Sequence, residues 1–439
     1  MATPMAAPTK TDVTVNTDAA GVVTGTVTGG GKVSGTAAPP AGIAQLQSQI
    51  DALNTRVTAL EAAGPTPPEP IPPQPVPGDV IDARTFSPQQ HAGTEADPWP
   101  GQAIIDALKS LPSTGGTVWL ADGIWLINSK LQLDGVNNFT LTGQSRNAQI
   151  MFKGTCELWI GGVNFGGVSN ATITKLTINA GTLAFSTPSA IRVSNARDCT
   201  FTDNQVLGHP SGSIPAMWWE GGSNNKFIKN AFAGGAQGGD SVLQVQPLGG
   251  TPNSGHLISE NTFDSVALYI IGLSDSIISK NIFTNQALNN AIGIMICGEW
   301  AATSRNMTVD SNTVDARNQN DATISGLPND PGGNSIIDGF VFTNNVVKGT
   351  KALIAAQSPD PKNYADNALT GNHKSNVTIS GNQMHAEWDG AVIDLRGGGG
   401  TVDRVLVENN VLSNSANKPN VVKQDSGTTN VTIRNNTGI

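Results

Sequence analysis

The chain has 439 residues, of which 50 are glycine and only 13% are charged. Its formal net charge of −9 provides no basic surface for nucleic acid or an anionic membrane, and no apolar run is long enough to cross a bilayer, so we expect neither kind of partner. Three cysteines, Cys156, Cys199 and Cys297, do not make a disulfide framework and lack metal-ligand spacing, so we expect no metal or other cofactor.

Residues 1–42 are rich in Ala, Thr, Gly and Val. Val13 and Val15, and then Val23 and Val27, alternate with polar residues as short strands do. The segment is too small for an independent core, so we interpret it as an attachment segment ordered by a partner; a disordered tail is the alternative. No basic region followed by an apolar stretch opens the chain, and we therefore expect no Sec-type signal peptide.

Residues 43–63 carry a heptad pattern typical of a short coiled coil. The apolar a and d positions are Ile43, Leu46, Ile50, Leu53, Val57 and Leu60. β-Branched a positions with Leu at d favour two strands. Against this, residues 56–61 read Arg-Val-Thr-Ala-Leu-Glu and resemble the trimerisation signature of short coiled coils, which implies Arg–Glu pairing between helices. We therefore weigh a trimer above a dimer, with a single amphipathic helix as the further alternative.

Residues 64–78 contain eight prolines, each one or two positions from the next, and predict a stiff polyproline II spacer. The β-rich part follows it, over residues 79–439. Its first block combines a strand at residues 80–84, a short amphipathic helix at residues 103–108, and further strand-like runs at residues 115–120 and 123–127.

Asparagines then recur in one local phrase, with an apolar residue three places before each. The nine asparagines are Asn204, Asn230, Asn261, Asn281, Asn312, Asn345, Asn382, Asn410 and Asn436. Segments such as Thr200-Phe201-Thr202 alternate polar and apolar residues with the period of a strand. Repeats 20 to 37 residues long cannot bury their apolar faces alone and must stack. Asparagine accepts left-handed backbone angles at corners, and stacked asparagines can bond to each other, so we predict a structural asparagine ladder.

Residues 79–439 resemble the pectate-lyase-like family of right-handed parallel β-helices, in which a helix caps the open end. The fold class we predict is therefore all-β, a right-handed single-stranded parallel β-helix capped by a short helix and preceded by a short trimeric coiled coil. A trimeriser, a spacer and a β-helix in one chain resemble a bacteriophage tailspike or receptor-binding fibre. That resemblance implies a virion location, attachment to tail or baseplate proteins through the N-terminus, and recognition of a bacterial surface polysaccharide.

Candidate binding residues come from aligning strands that precede successive ladder asparagines. With period two, Ile191, Met217, Leu243 and Leu268 point inwards. The residues that then form one outward column are Arg192, Trp218, Gln244 and Tyr269. Sugar rings stack on aromatic faces and their hydroxyl groups bond to polar side chains, so we predict a carbohydrate-binding column there, extended by Trp300 and Trp388 in later coils.

Glycoside hydrolysis requires two carboxyl groups roughly 5 to 9.5 Å apart. Our candidate pairs are Glu220 with Asp240 and Glu299 with Asp338. The leading functional hypothesis is a tailspike that binds, and in one version depolymerises, a bacterial surface polysaccharide. The alternatives are a secreted bacterial polysaccharide lyase or hydrolase, and a purely structural virion fibre protein.

Overall fold

The structure is a computed structural model that describes residues 13–17, 23–27, 31–35, 80–161, 167–184, 189–208, 215–234, 239–248, 253–284, 294–297, 303–316, 324–325, 336–349, 354–355, 373–387, 391–395, 401–415, 422–424 and 426–438. The chain divides into two compact units, Met1–Val76 and Pro77–Ile439. The predicted coiled coil and proline-rich spacer, residues 43–63 and 64–78, lie outside the described residues.

In the first unit, three short strands form an antiparallel sheet. The strands are Val13–Thr17, Val23–Val27 and Gly31–Gly35, with the second in the middle. The first two coincide with the alternating valines of the sequence.

The second unit is a right-handed parallel β-helix with three sheets, as predicted. Sheet 1 comprises Val80–Asp82, Gly116–Leu120, Phe139–Gly143, Thr172–Thr174, Thr200–Thr202, Lys226–Ile228, Leu257–Ser259, Ile277–Ser279, Thr303–Asp310, Ile336–Thr343, His373–Ser380, Thr401–Glu408 and Thr428–Arg434. Sheet 2 comprises Trp99–Pro100, Gly123–Ile127, Ala148–Gly154, Thr177–Leu183, Gln205–Leu207, Ala231–Ala233, Thr262–Asp264, Ile282–Thr284, Thr313–Ala316, Val346–Gly349, Gln383–Ala386 and Val411–Asn414. Sheet 3 comprises Leu131–Leu133, Leu158–Ile160, Ile191–Arg197, Met217–Ser223, Gly239–Gln246, Val266–Ile271, Ile294–Cys297, Ile324–Ser325, Ile354–Ala355, Ile393–Asp394 and Val422–Lys423, with Val168–Ser169 and Asn253–Ser254 paired at its side.

One coil of the β-helix runs through sheets 1, 2 and 3 in turn, and alternate residues of each strand enter the core. In sheet 1, Phe201 is fully buried between two half-exposed threonines. In sheet 2, the rings of Phe232, Phe263 and Phe283 stack on successive coils, with centroids 4.8 and 4.5 Å apart. Each coil therefore buries its apolar face against the coils above and below it.

A helix covers the first coils, as predicted from the sequence. The 3₁₀ helix Ala83–Phe86 precedes the α-helix Gln102–Lys109, which buries Ile104, Ile105 and Leu108. The α-helix packs against the first strands of sheets 2 and 3. It thus shields an end of the solenoid core that no further coil covers. No helix in the described ranges is long and apolar enough to span a membrane.

The asparagines form the predicted ladder at the corner between sheets 1 and 2, hereafter the Asn corner. Asn312 is representative: its Oδ1 accepts bonds from the backbone N–H (2.9 Å) and side-chain amide (3.0 Å) of Asn281. Its own amide donates to the carbonyl of Ile278 and, at 3.0 Å, to Oδ1 of Asn345. The pattern continues to both ends of the ladder, and its first eight asparagines are at most 1% exposed. The ladder therefore satisfies buried polar groups that every turn of the chain creates.

The prediction that the ladder asparagines adopt left-handed angles is wrong. The positive φ belongs instead to the residue before each asparagine: Asp203, Lys229, Glu260, Lys280, Ser311, Asn344, Gly381, Asn409 and Asn435. The preceding residue turns the chain, and its side chain faces outwards, so the position tolerates many residue types. The asparagine that follows is left free to direct its amide inwards, where the ladder bonds are made.

A buried histidine gives the β-helix a predicted acid sensitivity. His256 is 1% exposed; its Nδ1 accepts from the backbone N–H of Asn225, and its Nε2 lies 2.8 Å from Oδ1 of Asn253. Burial lowers the pKa of His256 to about 4. Between pH 6.5 and 4 the unfolded chain therefore takes up a proton that the folded chain does not. Stability attributable to this group is complete above pH 6.5 and falls by roughly 3 kcal/mol as the pH drops to 4.

The variant His256→Asn tests this expectation. One coil earlier, Asn225 makes the equivalent bond by accepting from the backbone N–H of Cys199, so Asn is compatible with the position. We expect the variant to lose less stability than the wild type between pH 7 and 4.5 in urea unfolding followed by circular dichroism. Parallel pH profiles for the two proteins would show that His256 does not titrate as described.

Candidate functional site

The outward face of sheet 3 carries the predicted column. The register pairs Arg192 with Trp218, Trp218 with Gln244, and Gln244 with Tyr269. The inward residues predicted beside them, Ile191, Met217, Leu243 and Leu268, are at most 2% exposed. Four consecutive coils therefore present the column side by side, at about 4.8 Å per coil.

The column extends one coil further than the sequence analysis found. Trp159 pairs with Arg192 in the register, so two indole rings flank the guanidinium. The Arg192 Cζ atom lies 5.0 Å from the ring centroid of Trp159 and 4.9 Å from that of Trp218. A cation between two aromatic faces is attracted to both ring quadrupoles and holds both rings in place.

The Glu220 carboxylate holds the guanidinium of Arg192 in place between Trp159 and Trp218. It is 2% exposed and receives a two-pronged bond from Arg192, with Nε to Oε2 at 2.6 Å and Nη2 to Oε1 at 2.9 Å. Ser194 Oγ donates to Oε2 at 3.3 Å, and Gln246 Nε2 donates to Oε1 at 2.9 Å. Four donors fill the acceptor positions of the carboxylate, so this geometry fixes the guanidinium rather than leaving a carboxyl group open to a substrate.

Further bonds join the neighbouring coils to the same centre. The indole N–H of Trp159 donates to Ser194 Oγ at 3.1 Å, and Gln244 Nε2 donates to Gln246 Oε1 at 2.7 Å. Lys130 places its Nζ atom 4.3 Å from the ring centroid of Trp159. The result is a continuous polar and aromatic network across five coils. We call it the sheet 3 network, comprising Lys130, Trp159, Arg192, Ser194, Trp218, Glu220, Gln244 and Gln246.

Backbone bends just after Glu220 shape the network. Gly221 and Gly222 have positive φ, and Asn195, opposite Gly221 in the preceding coil, shares this conformation. A Cβ atom on Gly222 would collide with the backbone carbonyl of Ala196, so the strand can approach its neighbour only with glycine there. These bends interrupt the regular pairing with the preceding coil directly after Glu220.

The other predicted catalytic residues lie on other strands or outside the described residues. Asp240 lies in the strand Gly239–Gln246, where Gly239 is opposite Val266 and the register then shifts. Glu220 is instead level with Gln246, six residues along the chain from Asp240 and past the register shift. The pairing of the Glu220 and Asp240 carboxyl groups stays a prediction.

Asp338 lies on sheet 1, on a different side of the β-helix from the network. Its Oδ1 accepts from Ser375 Oγ at 2.7 Å and from Asn376 Nδ2 at 2.6 Å, and these bonds lower the pKa of its carboxyl group. Such bonds connect one coil to the next and give Asp338 a structural role. Its predicted partner Glu299, together with Trp300 and Trp388, lies outside the described residues.

The sheet 3 network combines aromatic faces with hydrogen-bonding groups and two cations placed over the rings, which is what an extended sugar chain requires for stacking and for its hydroxyl groups. Within the described ranges, no group of three or more His, Cys, Asp or Glu side chains is arranged to hold a metal ion. The aromatic faces and hydrogen-bonding groups of the network are suited to binding a sugar chain.

Solved structures with the same architecture identify the fold. A mutant tailspike protein of E. coli bacteriophage HK620, in complex with a pentasaccharide, is similar at a TM-score of 0.53 and 15% identity, covering 82% of this chain and 65% of that one. A double mutant of the same tailspike gives a TM-score of 0.57, also at 15% identity and with the same coverage. The present chain shares the parallel β-helix fold of that tailspike. It spans just under two thirds of the length of that tailspike.

An enzyme also shares this tailspike-like fold. The exopolygalacturonase of Thermotoga maritima is similar at a TM-score of 0.51 and 11% identity, covering 81% of this chain and 93% of the enzyme. No protein-family model matches the sequence, and no curated protein matches it. At these identities the comparisons establish the parallel β-helix, and the assignment of function depends on the residues of the sheet 3 network.

Proposed function

We propose that this protein is a tailspike-type receptor-binding protein that recognises a bacterial surface polysaccharide through the sheet 3 network. The observation that carries the proposal is the stack of Trp159, Arg192 and Trp218 on the outward face of the β-helix. The pentasaccharide bound to the tailspike of similar fold supports the same class of ligand.

The network supplies both kinds of contact that a glycan uses. The rings of Trp159 and Trp218 are half-buried and immobilised by the guanidinium between them, so their orientation is set before ligand arrives. Arg192 uses Nε and Nη2 for Glu220, and its side chain remains 25% exposed. The guanidinium thus retains donor capacity towards solvent.

The proposal extends to the assembly. We place the protein in the phage tail, as a homotrimer joined by the coiled coil at residues 43–63 and attached to tail or baseplate proteins through residues 1–42. The heptad positions and the tailspike-like fold support this placement. The alternatives of a secreted depolymerising enzyme and a purely structural fibre become outcomes of the experiment below.

Trp218→Ala is expected to weaken glycan binding roughly 30-fold or more, since a central aromatic anchor typically contributes 2 kcal/mol or more. Binding would be measured to immobilised capsular polysaccharide and lipopolysaccharide from a panel of candidate host strains. Trp119→Ala is the matched control: Trp119 also lies beneath an arginine, with Arg84 Cζ 5.4 Å from its ring centroid, but on sheet 1. The control is expected to bind as the wild type does.

Two results would count against parts of the proposal. Retention of wild-type affinity by Trp218→Ala would remove the sheet 3 network as the site. Absence of binding across the panel, with the protein present in phage particles, would favour a structural fibre. The same incubations would be assayed for new reducing ends, which indicate hydrolysis, and for absorbance of unsaturated uronates, which indicates a lyase.

A further inference from the structure

Two outward columns on either side of the Asn corner are unexpectedly apolar. On sheet 1 the register aligns Leu257, Ile277, Thr308, Val341, Thr378 and Leu406. On sheet 2 it aligns Ile282, Thr313, Val346, Gln383 and Val411. Single apolar residues are common on protein surfaces, whereas apolar residues repeated in register along two columns indicate a contact surface.

The two columns belong to the same coils. Ile277 and Ile282 are 46% and 45% exposed, and Val346 and Val411 are 37% and 51% exposed. Each sheet 1 residue is followed five positions later by its sheet 2 counterpart, with the ladder asparagine between them. The Asn corner therefore projects as a wedge with two apolar flanks. We call this surface the apolar wedge, comprising Ile277, Val341 and Leu406 on one flank and Ile282, Val346 and Val411 on the other.

The tip of the wedge is uncharged over most of the same coils. The outward residues with positive φ at the corner are Ser311, Asn344, Gly381 and Asn409 in the later coils. In the earlier coils they are Asp203, Lys229, Glu260 and Lys280. The positive-φ residues of the tip are thus uncharged in the region where the flanks become apolar, with Lys280 at the margin. The carboxylates that border the tip there are paired, Asp310 with Ser311 and Asn344, and Glu408 with Arg434.

From these observations we infer that the apolar wedge is the contact between three copies of this chain, each wedge pointing at a common three-fold axis. Three-fold symmetry demands a heterologous contact, in which one flank meets the other flank of the neighbour at the same height. Two different flanks on the same coils fit that demand. Each tip would also face two copies of itself, so an uncharged tip avoids repulsion between like charges.

The partner that covers the apolar wedge is a second copy of this chain, because the heptad pattern at residues 43–63 predicts that copies associate in parallel. The inference rests on the homotrimer of the proposed function but not on glycan binding. It also explains the position of the sheet 3 network. With the corner between sheets 1 and 2 at the axis, sheet 3 faces away from the other copies and is open to a polysaccharide.

The full chain carrying Val346→Glu and Val411→Glu tests the interface by sedimentation velocity over a range of protein concentrations. We expect the trimer to dissociate at concentrations at least tenfold higher than for the wild type, with an unchanged circular dichroism spectrum. Tyr269→Glu is the matched control, because it places the same charge at an outward apolar position on sheet 3. It is expected to leave the trimer unchanged.

Cysteine cross-linking tests the heterologous geometry independently of stability. In the variant Val341→Cys, Val346→Cys, oxidation should join each copy to the next and give covalent dimers and trimers on a denaturing gel. Each single variant carries an added cysteine on one flank only, so after oxidation it should run as a monomer on the denaturing gel. The single variants also show whether the native cysteines form cross-links.

The outcomes distinguish failure of the apolar wedge from failure of the proposed homotrimer. A wild-type chain that is monomeric at all concentrations would remove the homotrimer and the interface together. A trimer that tolerates both glutamates and does not cross-link would overturn the apolar wedge alone. Either outcome leaves glycan binding to be decided by Trp218→Ala.

Discussion

Asn345→Ala is expected to destabilise the β-helix by roughly 3–5 kcal/mol, although the replaced side chain is polar and small. Asn345 Oδ1 accepts from the backbone N–H and side-chain amide of Asn312, and its amide donates to the carbonyl of Val309 and to Asn382. All these groups are buried. Alanine removes the partner of the Asn312 backbone N–H and takes one bond each from the Asn312 amide, the Val309 carbonyl and Asn382 Oδ1, in a region that excludes water. Unpaired buried donors and acceptors cost about 1–3 kcal/mol each.

The measurement should report locally, because a stack of repeats unfolds without a single two-state transition. Hydrogen exchange followed by mass spectrometry would show faster exchange at the Asn312 amide and in its neighbouring strands. The matched control is Asn344→Gly, which replaces the adjacent asparagine at its exposed, positive-φ position and is expected to change stability by less than about 1 kcal/mol. Equal exchange in both variants would show that the ladder contributes little.

The fold was predictable because its information is local and repeated. A strand period of two and an asparagine at a fixed offset recur in every repeat, so errors in one coil do not affect the next. The backbone role of the asparagine was not predictable in the same way. Pattern alone does not distinguish a residue that turns the chain from the one beside it, and at Lys229 and Glu260 the left-handed residue is not a typical turn former.

The site was predictable as a column but not as a network. Arg192, Trp218, Gln244 and Tyr269 align because their strands share a register with their inward neighbours. Trp159 was missed since its coil precedes the asparagine phrase used for alignment. It could have been found by extending the same strand period one repeat upstream.

Arg192 and Glu220 are 28 positions apart in the sequence, and Glu220 lies two strand positions beyond Trp218, the residue opposite Arg192. No pattern in the sequence specifies which carboxylate Arg192 binds. A carboxylate in an outward column was therefore interpreted as a candidate acid. The four donors around the Glu220 carboxylate are visible only in the structure.

Glu220→Ala is expected to destabilise the protein by about 2–3 kcal/mol and to abolish measurable glycan binding. Removing one partner of a buried ion pair leaves the other charge without compensation; the exposed part of Arg192 reduces the penalty below that of a fully buried pair. Without the Glu220 carboxylate, the guanidinium of Arg192 would lose its fixed position between Trp159 and Trp218. The two indole rings would then no longer be held by the cation between them. Thermal unfolding and binding to the polysaccharide panel measure the two effects.

A double variant, Arg192→Met with Glu220→Leu, separates stability from recognition. Replacing both charges with apolar groups of similar size removes the unpaired charge, so we expect stability close to that of the wild type without recovery of glycan binding. Glu220→Gln tests the catalytic prediction. If Glu220 positions Arg192, this variant should lose affinity, since its amide N–H groups face the donors of Arg192. Undiminished affinity combined with loss of polysaccharide cleavage would instead identify Glu220 as a catalytic carboxyl group.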